Sequence, residues 1–378
     1  MALYKSLVKK ISISPEKKTK QKEYLPMGRF PIIDQGQQLI GGYSDDANKQ
    51  LTCNLPVIVF GDHTRAVKYV DFPFGAGADG IKVLEPAEGI YPKFLYYATQ
   101  YLVLRLEDKG YARHYQHIEK KELDVPALKE QKRIVARIEE LFSELDNGVE
   151  TLRKTKQQLA VYRQAVLKTA FGGIAQDAYR PLRTVLSSSP QNGLYKPKTA
   201  YGSGTRILRI DGFYDGRISD DYDFKRLKLS ESEIKQYQLN KWDLVINRVN
   251  SMPYLGKCAL VRDLAEVTVY ESNMMRMRLD EDTVDPEYVT HYLSSFIGRK
   301  ELTKNAKQAV NQASINQADV GNALIPVPES LEEQRNVVSA INARMSVCDN
   351  IEKTVDTALQ QAEAMRQSIL KQAFEGRL

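Results

Sequence analysis

The chain has 378 residues, 42% of them hydrophobic, which is enough material for two folded cores. Its 54 basic residues exceed its 48 acidic residues and give a formal charge of +6, a mild excess that permits nucleic-acid binding without requiring it. No run approaches about 18 apolar residues, the N-terminal stretch does not resemble a signal peptide, and the three cysteines are not at metal-ligand spacing. These features argue against a membrane protein, a disulfide scaffold and a structural zinc site, so we expect a soluble cytoplasmic protein.

Hydrophobic periodicity divides the chain into four segments. Residues 1–129 carry short apolar runs that predict strands at 30–33, 56–60, 67–70 and 80–84, with an amphipathic helix near 92–106. Residues 130–173 form a long helical segment. Residues 174–330 return to predicted strands at 207–210, 243–246, 258–261, 266–270 and 274–279, with a helix at 286–299, and residues 331–378 are helical again. The predicted order is globular domain, helix, globular domain, helix, which is an α/β (α+β) class.

The two helical segments are copies of one sequence. Residues 130–173 align without a gap to residues 333–376 at an offset of 203 (333 minus 130), with 17 identities in 44 positions. Weaker matches extend upstream, where 29–34 aligns with 206–211 and 92–95 with 286–289. The offset changes between these matches, so the intervening loops differ in length. The sequence therefore predicts two similar units with diverged loops.

Each helix of about 40 residues would extend roughly 60 Å and needs a partner for its apolar stripe. Apolar residues at alternating spacings of four and three predict a seam in each helix. In the first helix the seam is Ile134, Ile138, Leu141, Leu145, Gly148, Leu152, Thr155, Leu159, Tyr162 and Val166. In the second it is Val337, Ile341, Arg344, Cys348, Ile351, Val355, Ala358, Ala362, Met365 and Ile369. We expect the helices to pack as an antiparallel coiled coil that separates the two globular domains.

The architecture and motifs together resemble the specificity subunit of type I restriction-modification enzymes. In that family each of two target-recognition domains is followed by a long helix that begins near a proline and Glu-Gln-Lys/Arg and ends in Leu-Lys-x-Ala-Phe-x-Gly. The corresponding strings here are Glu130-Gln131-Lys132 with Leu167 to Gly173, and Glu333-Gln334-Arg335 with Leu370 to Gly376. The resemblance covers essentially the whole chain and holds in both copies.

The resemblance implies a non-catalytic DNA reader. Each globular domain would read one half of a split, asymmetric sequence in double-stranded DNA, and the helices would set the gap between the halves. Two methyltransferase subunits, which carry S-adenosylmethionine, would dock on the helices, and motor-nuclease subunits using ATP and Mg could join them. The helix ends suggest a docking surface at Lys168, Phe171, Lys371 and Phe374.

The residues offer little catalytic chemistry of their own. Residues 71–80 contain a GxGxxG at Gly75, Gly77 and Gly80, but a predicted strand follows where a cofactor loop should open a helix. No Asn-Pro-Pro-aromatic motif and no phosphate-binding GxxxxGK[ST] loop occurs in the sequence. We therefore expect no catalytic residue, no bound cofactor and no metal ligand in this chain.

Candidate DNA contacts are basic and amide residues in the diverged loops, because arginine pairs well with guanine and asparagine or glutamine with adenine. In the first domain they are His63, Thr64, Arg65, Lys68, Arg113, His114, Gln116 and His117. In the second domain they are Tyr195, Lys196, Lys198, Arg248, Asn250, Ser251, Lys304, Lys307, Gln308, Asn311 and Gln312.

Two alternatives remain open from the sequence. The chain could be a coiled-coil scaffold or RNA-binding protein with two duplicated binding domains, although loops rich in Arg, Asn and Gln argue against it. It could also be a self-contained methyltransferase, but the missing adenine-methylation motif argues strongly against that reading.

Overall fold

The computed structural model describes residues 1–78, 80–107, 112–219 and 221–378. These residues form two compact units, the first made of Met1–Lys154 with Val355–Leu378 and the second of Thr155–Thr354. Each unit therefore contains one globular domain, the first part of the long helix that follows it, and the last part of the other long helix.

The first globular domain is built on two four-stranded sheets. Its strands are β1 (Ala2–Leu3), β2 (Val8–Ile11), β3 (Lys18–Thr19), β4 (Phe30–Ile33), β5 (Gly42–Ser44), β6 (Val57–Gly61), β7 (Val67–Val70), β8 (Gly75–Gly77), β9 (Ile81–Pro86) and β10 (Glu122–Leu123). Its helices are α1 (Pro92–Leu104) and α2 (Tyr115–Ile118). One sheet is antiparallel in the order β2-β9-β6-β7, and the other has the order β3-β8-β4-β5 with parallel pairing on both sides of β8.

The strands predicted in this domain are confirmed, and the centre of the sheet explains why. Val57, Ile58, Val59 and Phe60 are fully buried, so β6 is covered on both faces and reads as a continuous apolar run. The predicted helix is α1, whose first residue is Pro92, a position that tolerates proline because its missing N–H would have no helical partner.

The glycine motif at 71–80 serves packing, although Asp79 within it lies outside the described residues. Gly75 and Gly77 bound strand β8, and strand β9 follows. A Cβ at Gly77 would lie 2.6 Å from the Asp34 Cβ, and one at Gly75 would lie 2.6 Å from Ile32 Cδ1. Close approach of strand β4 therefore explains both glycines.

Helix α3 (Leu128–Phe171) leads into the second globular domain. Its strands are β11 (Tyr179–Pro181), β12 (Leu186–Asn192), β13 (Tyr201–Leu208), β14 (Phe213–Tyr214), β15 (Gly216–Ile218), β16 (Lys225–Leu227), β17 (Asp243–Asn247), β18 (Val249–Asn250), β19 (Cys258–Leu260), β20 (Thr268–Tyr270), β21 (Met274–Leu279), β22 (Lys307–Ala309), β23 (Gln312–Ser314) and β24 (Leu324–Pro326). Its helices are α4 (Glu231–Tyr237), α5 (Pro286–Ser294), α6 (Phe296–Thr303) and α7 (Gln317–Gly321). Helix α8 (Leu331–Phe374) completes the chain.

The main sheet of the second domain has the order β12-β21-β17-β19-β15-β14. A three-stranded sheet, β16-β13-β20, flanks it, and a separate small sheet has the order β18-β23-β22. The predicted strands at 243–246, 258–261, 266–270 and 274–279 are all found, and the run at 207–210 overlaps the end of β13.

The single helix predicted at 286–299 is wrong, because the structure has two helices with a break at Ser295. Ser295 adopts an extended conformation with ψ of 158°, and its hydroxyl accepts a hydrogen bond from Gly298 N at 3.1 Å as the cap of α6. A Cβ at Gly298 would collide with the carbonyl oxygen of Tyr292. Serine capping and the close packing at glycine end one helix and begin the next.

The two long helices run antiparallel within each unit, as predicted. In the first unit the contacts advance in opposite directions, from Arg133 with the Leu378 carbonyl at 3.2 Å to Asp146 with Arg366. In the second unit Lys156 pairs with Glu352 at 3.6 Å and Arg163 with Asp349 at 2.7 Å.

The predicted seam is half right. The alternate members of the α3 seam are correct, and Thr155 is half-buried as predicted. At the other four intervening positions, Ile134, Leu141, Gly148 and Tyr162, the residue that follows is the more buried one. The seam in α3 includes Gln131, Val135, Ile138, Phe142, Leu145, Val149, Leu152, Leu159, Arg163, Val166 and Ala170. In α8 it includes Gln334, Val338, Ile341, Met345, Cys348, Glu352, Val355, Leu359, Ala362, Arg366, Ile369 and Ala373.

The displaced seam has a physical cause. Ile134 and Leu141 pack at the margin of the first domain's core, beside the buried Val135 and Phe142. These turns are apolar at two successive positions because the helix is covered both by its partner helix and by the globular domain, and sequence periodicity cannot separate the two faces. Over the part of the chain that the structure describes, no helix combines the length and the apolarity needed to cross a membrane.

Candidate nucleic-acid interface

In the first unit the structure brings together the two segments predicted to contact DNA. The backbone N–H of His114 donates to the Asp62 carbonyl at 2.9 Å, and that of Tyr115 donates to the Asp62 carboxylate at 2.8 Å. His63 Nδ1 lies 3.2 Å from the Ala112 carbonyl oxygen. The loop after β6 and the start of α2 therefore form one continuous surface.

The predicted residues on this surface differ in exposure. Arg113, Gln116 and Thr64 are exposed, whereas His63, Arg65 and His117 are half-buried. His114 is buried, with its Nε2 accepting a hydrogen bond from Arg65 Nε at 3.2 Å. Arg113 and Gln116 are the best placed of the eight to reach a ligand, because the hydroxyl of the exposed Thr64 already donates to the Gln35 carbonyl.

Lys68 is held inside the domain. Its ammonium donates to the Asp34 carbonyl at 2.8 Å and lies 3.5 Å from the Asp34 carboxylate. Burial lowers the pKa of Lys68, against the opposing effect of Asp34. The structure therefore favours a role for Lys68 in bracing strand β7 against the end of β4.

A basic hollow of about 340 Å³ lies beside this surface. The predicted DNA contacts include only the two histidines of its lining and none of the adjacent cations, although Lys120 and Lys121 form a basic pair in the sequence. Clustered cations of this kind suit phosphate oxygens, which position a protein on DNA without reading its sequence. The lining residues are Arg105, Leu106, Glu107, His114, His117, Lys120 and Lys121.

In the second unit two further predicted segments join in one small sheet. Strand β18 pairs with β23, placing Val249 opposite Ser314 and Asn250 opposite Ala313. Strand β23 pairs in turn with β22, and we call the β22–β23 hairpin, Lys307–Ser314, the ribbon. The ribbon exposes Lys307, Gln308, Asn311 and Gln312, while Arg248, Asn250 and Ser251 are half-buried at its base and Lys304 is exposed just before it.

The remaining predicted segment, which contains Tyr195, Lys196 and Lys198, lies elsewhere in the domain. Lys196 pairs with Glu233 in α4 at 2.6 Å, and this hydrogen bond is the main reason that the pKa of Glu233 falls to about 2. Tyr195 is 76% exposed and Lys198 is also exposed. The structure places this segment beside α4 and does not bring it to the ribbon.

The glutamine of the Glu-Gln motif anchors each long helix to the globular domain before it. Gln131 accepts from Tyr91 N at 2.8 Å and donates to the carbonyls of Gly89 and Pro126 at 3.0 and 2.9 Å. Gln334, 203 residues later, accepts from Asp285 N at 2.8 Å and donates to the carbonyls of Thr283 and Pro328 at 3.3 and 3.2 Å. Both glutamines are buried, so the motif fixes the direction in which each helix leaves its domain.

The predicted docking residues divide into buried phenylalanines and exposed lysines. Phe171 is 1% exposed and meets Tyr288 and Tyr292 edge-on, with ring centroids 5.3 Å apart in each case. Phe374 is half-buried and stacks on Tyr101 at 5.3 Å. Lys168 and Lys371 are exposed. The phenylalanines pack within the protein, and only the lysines face outward.

Known proteins with similar sequences fall in one family. Residues 8–159 match the family described as "Type I restriction modification DNA specificity domain". The chain is 30% identical over 269 residues to the type I restriction enzyme EcoKI specificity subunit of Escherichia coli strain K12, covering 68% of this chain and 57% of that protein. It is 23% identical over 333 residues to the EcoR124I/EcoR124II specificity subunit of Escherichia coli, covering 84% and 80% of the two chains.

A solved chain described under "complex assembly and conformational transition of the type I R-M system" has the same fold. It superposes with a TM-score of 0.66 at 17% identity and covers 92% of each chain. The protein spans 57% of the length of EcoKI's specificity subunit, so it matches part of that relative. From these matches and the duplicated domain-and-helix plan, the chain belongs to the family of type I restriction-modification DNA specificity subunits.

Proposed function

We propose that the chain reads a split sequence in double-stranded DNA, one half with each globular domain, as the specificity subunit of a type I complex. The observation that carries this proposal is a contrast between the two units. The glutamine anchors at Gln131 and Gln334 are built alike, whereas the surfaces rich in DNA-type side chains are built differently, around α2 in one unit and around the ribbon in the other. A repeated scaffold that carries two different recognition surfaces suits two half-sites of different sequence.

In this proposal the antiparallel helices set the distance between the two half-sites. Half-sites read from one face of B-DNA lie roughly 34–36 Å apart for each helical turn. Helices α3 and α8 each have 44 residues, a length of about 66 Å at 1.5 Å per residue. Their length and their anchors would fix the gap between the half-sites.

We place methyltransferase docking on the outer faces of the helices. The two helix copies retain identical polar residues at exposed positions that the helix seam does not require. Surface positions usually diverge after duplication, so identity on both helices is expected where two copies of one partner bind equivalent surfaces. The pairs are Ser143 and Ser346, Asn147 and Asn350, Thr151 and Thr354, Gln157 and Gln360, Gln158 and Gln361, and Lys168 and Lys371.

The chemistry in this proposal belongs to the partners. Methyltransferase subunits would carry S-adenosylmethionine and modify an adenine in each half-site after flipping it out of the stack. Motor-nuclease subunits would supply ATP and Mg chemistry, and a complex without them would serve methylation alone. Because its target is cellular DNA, the chain would act in the cytoplasm.

Co-expression with the cognate methyltransferase subunit tests the proposal. The mass of the purified complex and the positions of modified adenines in its DNA would be measured together. We expect one copy of this chain with two partners and modification at a split sequence with one fixed gap. A chain that neither binds a methyltransferase nor prefers any duplex would instead be a coiled-coil scaffold or an RNA-binding protein.

The docking surface has its own test on the same complex. Lys168→Glu should weaken attachment of one methyltransferase copy and shift the complex toward a one-to-one mass, since Lys371 remains on the other helix. Arg153→Glu is the matched control, because Arg153 is exposed on the same helix and aligns with the unrelated Asp356. Equal losses from both variants would remove the argument from shared positions.

A further inference from the structure

The ribbon of the second unit is firmly held at its base. Ala313 and Ile315 are 2% and 1% exposed and belong to the main core of the unit. The N–H of Ile315 donates to the Arg248 carbonyl at 2.9 Å, and β18 pairs along β23. The hairpin therefore projects from a rigid support, as an element that recognises a ligand with its tip requires.

The tip of the ribbon carries an unusual residue. Ala309 and Gln312 are paired, so Val310 and Asn311 form a two-residue turn. Asn311 adopts a φ of 66°, which asparagine tolerates better than most residues. Val310 is 91% exposed, and a branched apolar residue is a poor choice for a turn that buries nothing.

Single exposed apolar residues are common and usually need no explanation. Val310 differs because of its neighbours. Residues 304–314 contain no acidic side chain, and exposed amide side chains stand on both sides of the valine at Gln308, Asn311 and Gln312. Lys307 adds an exposed cation near the base of the ribbon.

This combination of amide and apolar side chains matches the major-groove edge of an A·T base pair. The major groove of B-DNA admits a two-stranded β-ribbon, and there adenine presents its N7 and N6 groups while thymine presents its 5-methyl group. Asparagine or glutamine pairs with the adenine edge, and an apolar side chain contacts the thymine methyl. The minor groove offers no such methyl and a poorer pattern of donors and acceptors.

We propose that the ribbon enters the major groove and reads an A·T pair in the half-site of the second domain, with Val310 on a thymine methyl and Asn311 or Gln312 on an adenine. This inference rests on the proposed function and adds the base class and the groove to it. Lys307 would reach a phosphate at the groove edge and contribute no sequence preference.

The test uses the full chain in its methyltransferase complex and a pool of randomised DNA duplexes. The selected duplex is then remade with uracil in place of each thymine in turn, which removes only the 5-methyl group. For the wild type, one such replacement in the half-site of the second domain should weaken binding about fourfold, the worth of one buried methyl. Val310→Ala, which removes both γ-methyl groups, should lose most of the difference between the thymine and uracil duplexes at that position.

The amide contacts are tested with Asn311→Gly, which keeps the left-handed backbone available, and with Gln312→Ala. Loss of a bidentate contact should weaken binding to the selected duplex roughly 5- to 150-fold and relax preference for adenine at one position. Val267→Ala is the matched control, because Val267 is an exposed valine outside the ribbon, and it should select the wild-type sequence.

The outcomes separate this inference from the function on which it rests. A wild-type complex with no sequence preference would contradict the proposed function itself. A wild-type complex with a clear preference, unchanged in Val310→Ala and equally sensitive to uracil, would overturn the ribbon assignment alone. Loss of the methyltransferase from Val310→Ala with unchanged DNA preference would also overturn it, because the ribbon would then be a protein-docking element.

Discussion

The guanidinium of Arg163 lies 2.7 Å from the carboxylate of Asp349, on the opposite helix of the second unit. The positions related to these two by the duplication, Arg366 and Asp146, form the corresponding ion pair in the first unit. The arginine lies on α3 in the second unit and on α8 in the first, and the aspartate lies on the opposite helix in each case. Residues related by the internal repeat thus form the same type of ion pair in both units.

The two ion pairs differ in burial, and this predicts unequal contributions to stability. The Arg163 side chain is 11% exposed and also reaches Glu352 at 2.9 Å, whereas that of Arg366 is 32% exposed and Asp146 is 60% exposed. Arg163→Ala should lower the free energy of unfolding by about 2 kcal/mol, because it removes charged hydrogen bonds to two carboxylates, although Arg217 still pairs with Asp349 and Lys156 with Glu352. Arg366→Ala should cost about 1 kcal/mol or less. Urea unfolding followed by circular dichroism measures both, with the exposed Arg153→Ala as control, and equal losses would contradict the burial argument.

The buried glutamines predict a large effect from a small change of side chain. Gln131→Leu keeps much of the side-chain volume but leaves the N–H of Tyr91 and two carbonyls without their partner. We expect a loss of about 3 kcal/mol, and a similar loss for Gln334→Leu. Gln157→Leu, at an exposed position of the same helix, should change stability by about 0.5 kcal/mol or less. Thermal unfolding of the three variants tests this, and near-native stability of Gln131→Leu would show that the anchor is dispensable.

Phe171 and Lys168 should separate stability from partner binding. Phe171→Ala removes a ring buried between Tyr288 and Tyr292 and should destabilise the second unit by about 3–5 kcal/mol. Lys168→Ala should leave the unfolding transition in place while weakening methyltransferase binding. A Phe171→Ala protein with wild-type stability and impaired docking would restore the phenylalanine to the docking surface.

His291 predicts a loss of stability in mild acid. Asn342 donates to Glu287 at 2.9 Å, so its oxygen faces His291 Nε2 at 2.9 Å and suits a neutral imidazole that donates from Nε2. Burial lowers the pKa of His291 below its usual value near 6.5, with Arg262 acting in the same direction and Asn342, Glu287 and Asp285 opposing it. The stabilising contribution is present above about pH 6.5 and declines as pH falls through the lower, folded pKa, because the unfolded chain binds the proton more readily.

Unfolding measured between pH 7.5 and 5 checks this expectation. His291→Gln should flatten the part of the pH dependence that the histidine contributes, at most about 1.4 kcal/mol per pH unit. Arg153→Ala, which removes an exposed side chain that stays charged throughout this pH range, should keep the wild-type profile. A profile unchanged by His291→Gln would place the acid sensitivity elsewhere.

The two readers should act independently on their half-sites. Arg113→Ala and Gln116→Ala change exposed residues beside the basic hollow of the first unit and should relax only the half-site that this unit reads. Lys120→Ala should weaken binding about equally for all sequences and reduce its salt dependence by about one counterion. Methylation mapping and salt titrations distinguish the two effects, and a change in both half-sites after Arg113→Ala would contradict separate readers.

Much of this fold could be predicted from local patterns. The duplication, the long helices and the nine predicted strands follow from repeats, apolar runs and caps, which are properties of neighbouring residues. The other strands of the described residues, mostly two or three residues long, were not predicted. The ribbon was visible only as a polar stretch, because β22 and β23 have three residues each and β23 is held by pairing with a distant strand. The basic hollow escaped prediction for the same reason, since Arg105 and Lys121 meet only after folding.

The sequence by itself determined that the chain carries two copies of one domain-and-helix plan, because an ungapped repeat with a shared Glu-Gln start and a shared Leu-Lys-x-Ala-Phe-x-Gly end is written in the residues. Only the tertiary structure decided which face of each helix forms the seam, and that each unit combines the first part of one helix with the last part of the other. It also showed that Phe171, which the sequence suggested as a docking residue, is buried in the core. Periodicity reports that a face is apolar, whereas the partner that covers it is set by contacts between residues far apart in the chain.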